Sequence, residues 1–210
     1  MSGSDKVFAG SIPDIYDEFL VPLIFEDLAG DLARRMALRA PGDVLETAAG
    51  SGVVTRAAAR RLGRSARYTA TDLNQPMLDR AARMQGEDAR ITWTQADALD
   101  LPFADGSFDV VLCQFGAMFF PDRVKGYAEA RRVLRPGGRF LFNIWDRIET
   151  NEFADAVTGA VGELFPDDPP LFLARTPHGH GDVAVIRAEL AAAGFTEISI
   201  DTVTGTSRAP

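Results

Sequence analysis

Two periods of apolar spacing run through the chain. From Pro13 to Arg39, apolar residues recur at helical spacing: Ile15, Phe19 and Leu23, then Leu28, Leu32 and Met36. That predicts two helices divided at Pro22. Beyond them the pattern changes to short apolar runs separated by helical stretches. Strands are expected at Val44–Glu46, Ala66–Asp72, Ile91–Gln95, Phe108–Gln114, around Phe140–Phe142, and at Gly194–Ile200. Between them, helices are expected at Arg56 to Leu62, after Pro76, up to about Val133, at about Asn151 to Leu164, and from Asp182 to Ala193. Phe108–Gln114 is almost wholly apolar, as a parallel strand covered on both faces must be. The alternation predicts an α/β fold, a doubly wound, mostly parallel sheet with helices on both faces. Residues 1–40 read as an N-terminal helical cap, with Met1 to Ser11 a flexible leader, on a single domain spanning 41–210. There is no internal repeat.

The first strand carries the candidate chemistry. Val44-Leu45-Glu46 runs through Thr47-Ala48-Ala49 into Gly50-Ser51-Gly52 and opens an Ala/Arg-rich helix. A strand, a tight glycine turn and a helix start bring backbone amides close to a ligand. A pyrophosphate-binding turn wants G-x-G-x-x-G, but here Thr55 stands where the third glycine would be. Glu46, an acid at the mouth of the turn, suits a cation and would repel a pyrophosphate. Asp72 ends the second strand 22 positions after Gly50, near the spacing of about 20 expected for a ribose-binding carboxylate. Strand-terminal acids are also common helix N-caps, but beside this turn ribose binding is the favoured reading.

The pattern acid-x-Ala-x-Gly-x-Gly resembles the first motif of the class I S-adenosylmethionine-dependent methyltransferases, with Ala48 in place of that motif's first glycine. Later segments resemble the same family in order. They are Asp72-Leu73-Asn74-Gln75-Pro76-Met77-Leu78, then Gln95-Ala96-Asp97-Ala98 followed by Leu101-Pro102-Phe103 and Ser107-Phe108-Asp109, and Val133-Leu134-Arg135-Pro136-Gly137-Gly138. The resemblance covers Val44 to Ile200 and extends to small-molecule and quinone-biosynthesis C-methyltransferases. It implies a Rossmann-like fold and methyl transfer from S-adenosylmethionine, giving S-adenosylhomocysteine, to a small-molecule acceptor by in-line displacement.

The resemblance also implies site roles. Glu46, Ala48, Gly50 and Gly52 would form the cofactor turn. Asp72 would accept from the ribose hydroxyls, and Leu73 and Met77 would flank the adenine. Asp97 would accept the adenine amine while the Ala98 amide donates to a ring nitrogen. Gln114 would join the cofactor site at the end of the fourth strand, where the methyl acceptor would be presented and Phe115, Met118 and Phe119 suggest an apolar pocket wall or plain core. Tyr16 would reach the methionine tail from the cap, or simply pack the cap onto the core; Met77 could likewise be plain core. The family's antiparallel seventh strand has no counterpart. Either the sequence ends short of the natural C-terminus or the sheet closes in another way.

Composition narrows the partners. The 210 residues are 46% apolar with a formal net charge of -8, which argues against nucleic acid as a partner. Cys113 is the single cysteine, so no internal disulfide forms, in keeping with a reducing compartment. No run approaches the ~18 apolar residues of a membrane span, and a cytoplasmic protein is expected. His178 and His180 sit on a Gly-rich loop. They read first as exposed loop histidines, with a general-base role as the alternative and too few neighbours for a metal. No catalytic residue stands out. Two other readings remain at this stage: an NAD(P)-dependent oxidoreductase, disfavoured by the missing glycine, and a non-catalytic cofactor-binding protein. Oligomeric state is left open.

Overall fold

A computed structural model describes residues 16–207. The five strands are β1 (Asp43–Glu46), β2 (Arg67–Asp72), β3 (Ile91–Gln95), β4 (Phe108–Gln114) and β5 (Leu134–Asn143). They form one parallel sheet in the order β3-β2-β1-β4-β5. The chain reverses its direction of travel between β1 and β4, and a ligand crevice is expected above their carboxyl ends. The helices are α1 (Tyr16–Phe25, wound in π-type turns), α2 (Glu26–Ala37), α3 (Val53–Ala59), α4 (Gln75–Gln85), α5 (Arg123–Val133), α6 (Glu152–Leu164), α7 (Phe172–Arg175) and α8 (Val183–Ala192).

Strand alternation sorts the core into two layers. Val44, Tyr68, Ala70, Val110 and Leu112 pack with Leu32 and Met36 of α2 and with Val54 and Leu78. On the other face, Leu45 and Val111 meet Ala130 and Val133 of α5, and Cys113 lies with Tyr127, Ile186 and Leu190. Period-two alternation therefore puts Glu46 and Gln114 on the same face as Val44 and Leu112.

Three expectations are corrected. Pro22 lies inside α1 instead of dividing the stretch, and the break falls at Phe25, where π-type turns give way to α2. The Pro-Gly-Gly turn lies within β5, where the register jumps from Phe108 opposite Leu134 to Val110 opposite Arg139. Gly194–Ile200 forms no strand. Its Phe195, Ile198 and Ile200 pack against the core beside α8, but Arg131 donates to the Gly194 carbonyl and Arg187 to that of Ile198. Acceptors that a sheet edge would have used are taken by guanidinium groups. Met1 to Ser11 and Ile15 lie outside the described residues.

Candidate active site

The turn after β1 is held by backbone bonds to both neighbouring strands: Thr47 N–H donates to Leu112 O and Ala49 N–H to Thr71 O, each at 2.9 Å. Ala48, Gly50 and Gly52 all take positive φ, at 52°, 55° and 82°. Gly52 is also required for space. A Cβ there would lie 2.8 Å from Ala81 Cβ on α4, so its absence lets α3 and α4 close together. Gly52 thus serves helix packing, whereas Gly50 borders the cleft.

That cleft is lined by Phe25, Glu46, Ala48, Gly50, Val53 and Gln114, among others, and its free space is about 30 Å³. Gln114 Nε2 donates to the Phe25 carbonyl at 3.0 Å, while its Oε1 is buried and has no partner among the described residues. A buried amide oxygen left without a donor is costly, so it marks a place that wants one.

Glu46 forms part of the cleft wall at 1% exposure. Its carboxylate turns inward, where Oε2 accepts from Thr55 Oγ1 and from Tyr68 OH, the latter at 2.6 Å. Burial, with the nearby charge of Asp72 adding to it, pushes its pKa up to about 7. Asp72, 8% exposed at the end of β2, ties the two halves of the site together. Its Oδ2 accepts from Gly50 N–H at 2.9 Å and its Oδ1 from Asn74 N–H at 2.8 Å. Burial raises its pKa against the pull of those amides. Met77 lies on the Gly50 turn, its Cε 3.6 Å from where a Gly50 Cβ would stand.

The remaining expected residues sit farther out. Leu73 is 48% exposed at the rim. Asp97 and Ala98 follow β3, joined to Asp72 through Ala96 N–H, which donates to the Asp72 carbonyl at 3.0 Å. Asp97 is exposed, and its Oδ1 accepts from Leu99 N–H at 2.9 Å. The Tyr16 side chain lies outside the described residues.

The sequence reading missed Phe25, the cover of the cleft, and Thr55 and Tyr68, the partners of Glu46. Strand register carried a signal for Tyr68, which pairs with Val44 two positions before Glu46. Phe25 also begins an aromatic run. Its ring is 5.4 Å from Phe115 and 6.1 Å from Trp145, and Phe115 and Trp145 stack at 4.0 Å. The histidines are not exposed loop residues, for His178 is 9% and His180 5% exposed. His178 Nδ1 lies 2.8 Å from the Asp146 carbonyl. His180 Nε2 lies 3.2 Å from Glu189 Oε2 and 3.3 Å from Tyr127 OH.

Residues 45–142 match a family described as a methyltransferase domain. The chain is similar to the ubiquinone/menaquinone biosynthesis C-methyltransferase of Cronobacter sakazakii, 31% identical over 77% of this chain and 69% of that one. It is 26% identical to the protein of the same name from Saccharophagus degradans, over 96% of this chain and 81% of the relative. A crystal structure from Methanococcus maripaludis, assigned as an S-adenosyl-L-methionine-dependent methyltransferase, shares the fold. Its TM-score is 0.68 at 20% identity, covering 94% of this chain and 90% of that one.

Proposed function

The chain belongs to the class I S-adenosylmethionine-dependent methyltransferases, and from that premise we propose how its cleft holds the cofactor. The enzyme moves a methyl group to a small-molecule acceptor. When bound, S-adenosylmethionine supplies a methyl carbon already activated by a sulfonium, so the chain's work is alignment.

The observation that carries the assignment is the unpartnered Gln114 Oε1 beside the Gly50 turn. It suits the ammonium of the cofactor's methionine end, which brings the donors the amide lacks. Glu46 supplies negative charge from the same wall. Asp72 Oδ2 keeps a lone pair for a ribose hydroxyl beyond the Gly50 amide it accepts, whereas Oδ1 already accepts from Asn74 N–H and, at 3.4 Å, from Asn74 Nδ2. Leu73 and Met77 flank the adenine, and Asp97 with the Ala98 amide reads its edge. Free space of about 30 Å³ holds roughly one water, so Phe25 moves aside when the methionine end is admitted. Beyond it, Phe115 and Trp145 form a flat apolar wall suited to a ring-shaped acceptor. The relatives' names place their acceptors in ubiquinone and menaquinone biosynthesis, and that wall supports an acceptor of similar shape here.

Thermal unfolding with S-adenosylmethionine, S-adenosylhomocysteine or NAD(H) tests the reading. At 100 times its dissociation constant a ligand adds about 2.7 kcal/mol, a shift of roughly 5–11 °C for this size. The expected result is a shift with both adenosyl compounds and none with NAD(H). A shift with NAD(H) alone overturns the assignment.

A further inference from the structure

The two histidines of the Thr176–Asp182 loop are committed to different work. His180 is enclosed: its Nε2 faces both Glu189 and Tyr127, and Glu189 is held in turn by Arg123 Nε at 3.1 Å. His178 is held through one nitrogen. A carbonyl oxygen only accepts, so the 2.8 Å contact with Asp146 O places the neutral ring's proton on Nδ1 and leaves the Nε2 lone pair free.

The loop is seated closely against its neighbours. A Cβ at Gly181 would lie 2.8 Å from Arg147 N, and one at Gly179 would collide with the Arg175 carbonyl. Both glycines let the loop press on its neighbours. The His178 ring lies 5.9 Å from Trp145, which stacks on Phe115 and lies 6.1 Å from Phe25, a residue of the cleft wall. In the same turn Thr176 Oγ1 is buried without a partner among the described residues.

Several other titratable groups are already committed, Glu46 among them through its bonds to Thr55 and Tyr68. Cys113 is buried, its thiol pushed up to about 11. Tyr68 and Tyr127 are raised by burial and by Glu46 and Glu189 respectively. The Asp146 carboxylate is engaged with the Arg147 amide.

Resting on the methyl-transfer reading above, we propose that His178 is the general base that removes the acceptor's proton through Nε2. The acceptor's X–H bond breaks, where X is oxygen or carbon, and the proton goes to Nε2. The electron pair left on X forms the bond to the methyl carbon. The carbon–sulfur bond breaks with its pair kept by sulfur, so the sulfonium becomes a neutral thioether and the positive charge ends on the imidazole. The Asp146 carbonyl goes on accepting from Nδ1–H and stabilises that charge.

The probe is 4-nitrophenol, whose phenolate absorbs visibly, added to the protein with S-adenosylhomocysteine one pH unit below the probe's own pKa. Free probe is then about a tenth ionised. Bound to the wild type, about half or more is expected as phenolate. His178→Gln is expected to keep its thermal shift with S-adenosylhomocysteine and to bind the probe in equilibrium dialysis, but to return ionisation to about a tenth. Phenolate persisting in His178→Gln, probe bound without ionising in the wild type, or no probe binding overturns the proposal while the methyl-transfer reading stands. Absence of any wild-type shift with S-adenosylhomocysteine overturns that reading, and the role of His178 falls with it. Nitrogen-15 spectra give an independent check, since a neutral His178 protonated on Nε2 contradicts the assignment.

Discussion

Asp43 and Glu46 stand at opposite ends of β1, and the protein treats their carboxylates in opposite ways. Asp43 accepts from Arg67 Nε at 2.6 Å and Arg135 Nη2 at 2.9 Å. Arg67, helped by Arg135, holds it below the usual carboxylate range. Glu46 has neutral hydroxyl partners, and burial drives it up to about 7. The amino end of the strand is a solved electrostatic problem, with charge met by charge. At the carboxyl end the acid is met by hydroxyls and by burial, and the proposed cofactor would bring the cation. A buried acid kept short of compensation is costly to the fold and useful to a site.

The largest expected effect tests that contrast directly. Glu46 titrates near 7 in the folded chain against 4.5 in its ordinary state. Between those values the folded chain holds a proton that the unfolded chain has released, so stability falls as pH rises across that window. The loss is about 3 kcal/mol, measured by urea unfolding from pH 4 to 8. Glu46→Gln, which keeps an acceptor oxygen for Thr55 and Tyr68, is expected to flatten the slope. Asp43→Asn should leave the slope unchanged, because the lowered Asp43 titrates below 3.8. Ligand binding gives the second readout: wild-type affinity for S-adenosylmethionine rises with pH through 7, and Glu46→Gln abolishes the rise. An equal slope in wild type and Glu46→Gln would place the titrating group elsewhere.

Asp72 sharpens the comparison, being buried like Glu46 yet bonded to amides that favour its charge. Asp72→Ala removes both the proposed ribose acceptor and the clasp on Gly50. The expected loss of S-adenosylhomocysteine affinity is about 1.5–3 kcal/mol, ten- to hundredfold by calorimetry. Asp97→Ala, at an exposed position, should cost about 1 kcal/mol. Affinity unchanged in both variants refutes the site assignment.

What was legible from sequence follows the range of the forces involved. The turn, Asp72 and the strand bounds Ile91–Gln95 and Phe108–Gln114 were readable because glycine conformation and short runs of apolar and β-branched residues are local properties. The cover by Phe25, the Tyr68 bond to Glu46 and the burial of His178 and His180 depend on segments far apart in the chain meeting. Gly194–Ile200 reads as a strand by its own residues. Pairing is a property of two segments, however, and Arg131 and Arg187 reach its carbonyls instead.

Ala48 carries the smallest expected effect and separates strain from packing. Its φ of 52° is a left-handed conformation that costs a residue with a Cβ about 1–2 kcal/mol. The fold makes room for its methyl by leaving Gly116 bare, since a Cβ there would collide with that of Ala48 and stand 2.9 Å from Cys113 Sγ. Ala48→Gly removes the strain but frees the unfolded chain, which returns roughly 0.5–1 kcal/mol. The net expectation is a gain of about 0.5–1 kcal/mol, or roughly 1–4 °C in melting temperature. A variant that melts lower than the wild type would show that the methyl's packing on Gly116 and Cys113 outweighs the backbone strain. Ala48 would then be a filler for the turn, where the motif's usual glycine would leave a gap.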